Sequence, residues 1–159
     1  MRLSSIHDAK EESVNTILEM AEYKKTGTCK ILIVTGCMAQ RYKEEITEEI
    51  PEVDAVLGTT SYGDIVKALN EAEAGHVFQE FKDINALPED SGRRVITTGG
   101  HFGYLKIAEG CDKHCTYCII PSLRGKFRSV PEERLLKQAE YMASQGVREL
   151  ILVAQETTV

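Results

Sequence analysis

Cys111, Cys115 and Cys118 stand within eight residues of one another, in "GCDKHCTYCIIPSLRG" (110–125), spaced C-x-x-x-C-x-x-C. An apolar run, "YLKIAEG" (104–110), leads into this stretch and an amphipathic helical pattern follows it. The chain has five cysteines, an odd number with three crowded together, which argues for a reducing compartment and metal ligation rather than a disulfide framework. A structural zinc site usually takes four ligands, often from two C-x-x-C pairs. No second pair exists here, and His114, adjacent to Cys115, does not easily close a tetrahedron. A 4Fe–4S cluster held by three thiolates leaves one iron open to a substrate or cofactor, so three ligands suit a catalytic cluster. A zinc-binding or non-catalytic iron–sulfur module, and scattered buried cysteines, are the plainer alternatives.

The flanking patterns set the architecture. Asp8 and Glu11 have capping-box spacing for a first helix whose apolar stripe is Val14, Ile17, Leu18 and Ala21, stopped by Gly27. "KILIVTG" (30–36) reads as a buried parallel strand with Cys37 at its carboxyl end. Met38, Tyr42, Ile46 and Ile50 line one face of the next helix, which Pro51 ends. "VDAVLG" (53–58) is a second strand, and Ser61 with Asp64 would cap a third helix with Tyr62, Ile65, Val66 and Leu69 facing inward. Residues 75–98 are mixed and polar, a linker with room for one short strand. Beyond it come a strand (104–110), the cysteine loop, and a helix with Pro131 in its first turn, capped by Ser129 and Glu132. The core face of that helix would be Leu135, Leu136, Ala139, Met142 and Ala143, with Gly146 closing it before the strand "ELILVAQ" (149–155). The alternation predicts an α/β protein: a partial flavodoxin-like parallel-sheet domain (1–74), the linker (75–98), and the first βαβ unit of a (β/α) barrel (99–159). Such folds place functional residues at the carboxyl ends of strands, where the cysteine loop lies.

Composition excludes little but usefully. With 42% hydrophobic and 28% charged residues the chain reads as globular, and a net charge of −6 gives no reason to expect DNA binding. No apolar run reaches the roughly 18 residues of a membrane span. "MRLSSIHDAK" lacks the apolar core of a signal peptide, and a cytoplasmic location is expected. "RGKFR" (124–128) reads as a solvated basic loop and "KEEITEEI" (43–50) as a solvated face, while His7, His76 and His101 show no metal-ligand spacing.

With C-x-x-x-C-x-aromatic-C after a strand and before a helix, the loop resembles the signature of the radical S-adenosylmethionine (SAM) enzymes. "YLKIAEGCDKHCTYCIIPSLRGKFRSVPEE" is similar to one family among them, the methylthiotransferases, as are "AKEES" (9–13) and "VTGCMAQRY" (34–42). The resemblance implies that Cys111, Cys115 and Cys118 hold a 4Fe–4S cluster, that Tyr117 lies near the adenine of SAM, and that Gln155 and Glu156 contact its amino group. It implies a second 4Fe–4S cluster with Cys37 as one ligand, its other ligands outside this chain, and no ligand role for Cys29. "ELILVAQETT" resembles the branch that methylthiolates an aspartate of ribosomal protein S-twelve rather than the tRNA-modifying branch, which tends to carry "GQN" there. The implied partners are that protein or the ribosome and an electron donor. Barrel strands and an RNA-binding-type domain that the family carries are absent, so the activity is expected of a longer protein of which this chain is a piece.

Overall fold

In the computed structural model, which describes residues 3–87 and 94–157, a parallel sheet forms around one short strand that is buried on both faces. This strand, β2 (Ala55–Leu57), lies between β1 (Ile33–Thr35) and β3 (Phe78–Glu80), all three parallel. Side chains alternate across a strand. Val56 therefore packs with Val34, Ile17, Ala39, Ile46, Ile50 and Val53 on one face, while Ala55 and Leu57 meet Ala68 on the other. The first layer comes from α1 (Leu3–Thr26), α2 (Cys37–Arg41) and α3 (Lys43–Glu49); the second is α4 (Ile65–Glu73). Asp54 fastens the layers at the strand entrance, its Oδ2 accepting from Lys24 Nζ at 2.6 Å and from the Leu32 N–H at 2.7 Å.

Several local expectations change. Helix α1 begins before Asp8, so Asp8 and Glu11 are exposed mid-helix residues rather than a cap. The face of Met38, Tyr42, Ile46 and Ile50 exists, but the helix breaks at Tyr42 (φ −121°, ψ 34°) into α2 and α3. Strands β1 and β2 are three residues each, shorter than the apolar runs that contain them. Ser61 caps nothing with its side chain: its hydroxyl accepts the Lys82 N–H at 3.1 Å, because the fully buried Ser61 lies where β3 runs out of the sheet. The largest departure concerns α4. Tyr62, Ile65, Val66 and Leu69 are turned to solvent, and Ala68 is the buried contact. A small residue lets the helix lie close on the sheet at Ala55 and Leu57. Strand β3 occupies part of the stretch expected to be a linker.

A second set of strands follows. β4 (Phe102–Lys106) and β7 (Glu149–Val153) pair in parallel, Phe102 opposite Glu149 through Lys106 opposite Val153, with the crossover helix α6 (Glu132–Ser144) between them in sequence. This is the expected βαβ unit. Met142, 1% exposed, is the buried anchor of α6, while Leu136 and Ala143 of the expected core face are exposed. Ser129 does not cap α6. It belongs to β6 (Arg128–Ser129), which pairs antiparallel with β5 (Ala108–Glu109), and this pairing outcompetes a cap. The run 104–110 is thus split: it leaves β7 at Ile107, whose N–H still reaches the Val153 carbonyl at 3.0 Å, and then joins β6.

The chain divides into two compact units, Met1–Glu89 with Cys115–Cys118, and Asp90–His114 with Ile119–Val159. No helix among the described residues is long and apolar enough to cross a membrane.

Candidate metal centre

The cysteine loop springs from the carboxyl end of the β4–β5 run, and its neck is unusually close. Ala108 faces Ser129 and Glu109 faces Arg128 across a ladder only two residues long. One step further, the Cys111 N–H donates to the Gly125 carbonyl at 3.2 Å. Gly110 has φ +74°, and a Cβ there would stand 2.1 Å from the Lys126 carbonyl oxygen. Only glycine tolerates both the left-handed backbone and that approach. Asp112 Oδ1 accepts the Phe127 N–H at 3.0 Å and ties the two sides once more.

The end of β7 reaches the same place. Gln155 Oε1 accepts the Gly110 N–H at 3.0 Å, and Glu156, its side chain 11% exposed, meets Lys113 Nζ at 2.6 Å. Both residues expected at a cofactor's amino group therefore sit beside the cysteine loop in the structure, and both hold it. They were legible as polar residues closing an apolar strand; that they clasp the loop was not.

Glu109 escaped sequence reading altogether. Its carboxylate is buried, 4% exposed, and pairs with Lys106 and with Arg124, whose Nη1 lies 3.6 Å from Oε2. The only hint was an acidic residue inside the apolar run "KIAEG". "RGKFR" is likewise more than a solvated basic loop. Arg124 ends α5 (Ile120–Arg124) with its side chain 18% exposed, and Arg128 Nη1 donates to the carbonyls of Arg124, at 3.0 Å, and Lys126.

The thiols differ in setting. Cys111 is buried, Cys118 half-buried and Cys115 exposed, and none of the five cysteines is joined in a disulfide. The Lys113 N–H donates to Cys111 Sγ at 3.4 Å. A turn links Cys115 to Cys118, whose N–H donates to the Cys115 carbonyl at 3.0 Å. Tyr117 is 62% exposed. Among the described residues no three His, Cys, Asp or Glu side chains converge as a metal cage. In donor chemistry the loop fits an iron–sulfur cluster: three soft sulfur donors and no disulfide competing for them.

Cys37 opens α2 directly after β1. Gly36, with φ +100°, makes the sharp exit that sets Cys37 at the carboxyl edge of the sheet, as the sequence suggests. Cys29 lies ahead of β1, with its thiol directed to the Ile31 carbonyl at 3.5 Å.

Residues 4–58 match the family described as "Uncharacterized protein family UPF0004", and residues 105–159 match the Radical SAM superfamily. A protein of Lachnoclostridium phytofermentans named "Ribosomal protein uS12 methylthiotransferase RimO" is 64% identical over 97% of this chain and 35% of its own length. Proteins of the same name from Clostridioides difficile and Clostridium botulinum are 51% and 47% identical, each over 96% of this chain and 34% of their own. The chain thus spans about a third of the length of the curated relatives it matches.

Proposed function

We propose that this chain is part of a radical-SAM methylthiotransferase of the kind its relatives are named for, and that the whole protein transfers a methylthio group to an aspartate of ribosomal protein uS12. The observation that carries the reading is the three-thiol loop at the carboxyl end of a parallel strand, inside the stretch that matches the Radical SAM superfamily.

Cys111, Cys115 and Cys118 are the residues that would hold a 4Fe–4S cluster. A cluster bound there would supply the one-electron chemistry that reductive cleavage of SAM requires. The rest of the loop's work is done by its own residues. Gly110 and Gly125 bring the two sides of the neck to hydrogen-bonding distance, and the backbone N–H of Lys113 donates to the Cys111 sulfur. Gln155 and Glu156 hold Gly110 and Lys113 and stand ready to meet the amino group of SAM at the same edge. The exposed ring of Tyr117 offers a flat apolar face for the adenine. Cys37 would supply one ligand of a second cluster for the sulfur chemistry, with further ligands from elsewhere in the whole protein. An electron donor and the ribosome are the implied partners, and the cytoplasm the implied location.

The test uses a strain that lacks methylthio-aspartate in uS12. The whole protein should restore the modification, seen as the added mass on the uS12 peptide that carries it. Methylthiolation of tRNA with uS12 untouched would move the assignment to the tRNA-modifying branch.

A further inference from the structure

We propose that Glu109 is a positioning residue for the cysteine loop, its buried carboxylate tying the strand that enters the loop to the helix that leaves it. The purpose of this tie rests on the reading that the loop holds a cluster; the tie itself is a property of the metal-free protein.

The neck needs such a tie. Strands β5 and β6 share two residue pairs, too short a ladder to hold a long loop by itself. Glu109 is the last residue of β5 and Arg124 the last of α5, so one stands just before the loop's first cysteine and the other just after its closing helix. A carboxylate that is 4% exposed is tolerated only with cations beside it. Here they are Lys106, on the same strand run, and Arg124, from across the neck. Glu109 Oε2 makes no hydrogen bond, and Arg124 Nη1 lies 3.6 Å from it, so the cross-neck contact is carried by charge. Arg124 is held in turn by Arg128, the residue opposite Glu109 in the ladder, which donates to its carbonyl at 3.0 Å. The cations facing Glu109 thus come from two places: the approach strand and the exit helix. Cys111, buried two residues beyond Glu109, is the thiol this closure shields.

The experiment measures alkylation rates of the individual cysteines in the whole protein, metal-free and reduced, resolved by peptide mass spectrometry. Glu109→Gln keeps the shape and removes the charge. It should speed labelling of Cys111 by about tenfold or more through local opening, while exposed Cys115, and Cys29 and Cys37 of the other compact unit, keep their rates. Arg124→Gln, cutting the tie from its other end, should give the same pattern, and supplies the answer if Glu109→Gln does not fold. Glu109→Asp, which retains the charge, should restore most of the protection. An unchanged Cys111 rate in the folded variants would overturn the proposal. So would equal acceleration of Cys29 and Cys37, which would make Glu109 a general stabiliser, or a Glu109→Asp variant as open as Glu109→Gln. Iron binding by the parent protein is scored separately, so failure of the tie and failure of the cluster reading are distinct results.

Discussion

Gln155 Oε1 accepts the backbone N–H of Gly110 at 3.0 Å, so the residue just past β7 fixes the residue just before the first loop cysteine. A half-buried N–H stripped of its partner loses about 1 kcal/mol of net hydrogen-bond stabilisation. Gln155→Ala should therefore speed amide exchange at Gly110 by about fivefold, with β1–β3 unaffected. Hydrogen-exchange mass spectrometry on the peptide around Gly110 checks this, and unchanged exchange would show that Gln155 does not hold the loop.

The loop's metal content is directly measurable. Anaerobic reconstitution should load about four irons on Cys111, Cys115 and Cys118, with broad visible absorbance that the triple alanine variant lacks. His114→Ala should leave iron uptake intact. Stoichiometric zinc without iron would return the loop to the structural-zinc alternative.

Cys37 should behave independently of the triad. In the whole protein Cys37→Ala should remove about four irons and stop sulfur insertion, while SAM cleavage at the loop persists. Iron content unchanged by the substitution would remove Cys37 from the ligand set.

Gly110→Ala tests the neck itself. The left-handed backbone alone costs a non-glycine residue about 1–2 kcal/mol, and the new methyl group would meet the Lys126 carbonyl oxygen at 2.1 Å. The variant should lose protection of Cys111 and most of its loop iron. Full iron occupancy with parent-like exchange would show that the backbone relaxes around the methyl group.

Much of this was legible in the chain, for reasons that particular residues make plain. Apolar runs gave the strands and their parallel order, since runs such as "DAVLG" have no polar alternation and must be covered on both sides. The cysteine spacing gave the candidate site. What failed depended on neighbours the sequence does not name. Tyr62, Ile65, Val66 and Leu69 have core spacing, yet Ala68 makes the contact because the helix sits close against Ala55 and Leu57. Ser61 and Ser129 have cap chemistry, but each answers a longer-range demand, one from Lys82 and one from the β5–β6 ladder. Glu109 was invisible because Arg124, its cation from across the neck, meets it only after the loop has doubled back.

The outward apolar face of α4 has a colloidal consequence. Ile65, Val66 and Leu69, with Tyr62 in the turn just before the helix, make a patch that water would rather not wet, and chains bearing such patches attract one another. The excess negative charge, −6 near neutrality, opposes that attraction. Added salt shortens the reach of the repulsion to about 3 Å at 1 M and leaves the apolar attraction in place. Approaching the isoelectric point near 5.3 removes the repulsion altogether. Handled by itself, this chain is therefore best kept in dilute, slightly alkaline, low-salt buffer, and precipitates first where its charge is weakest.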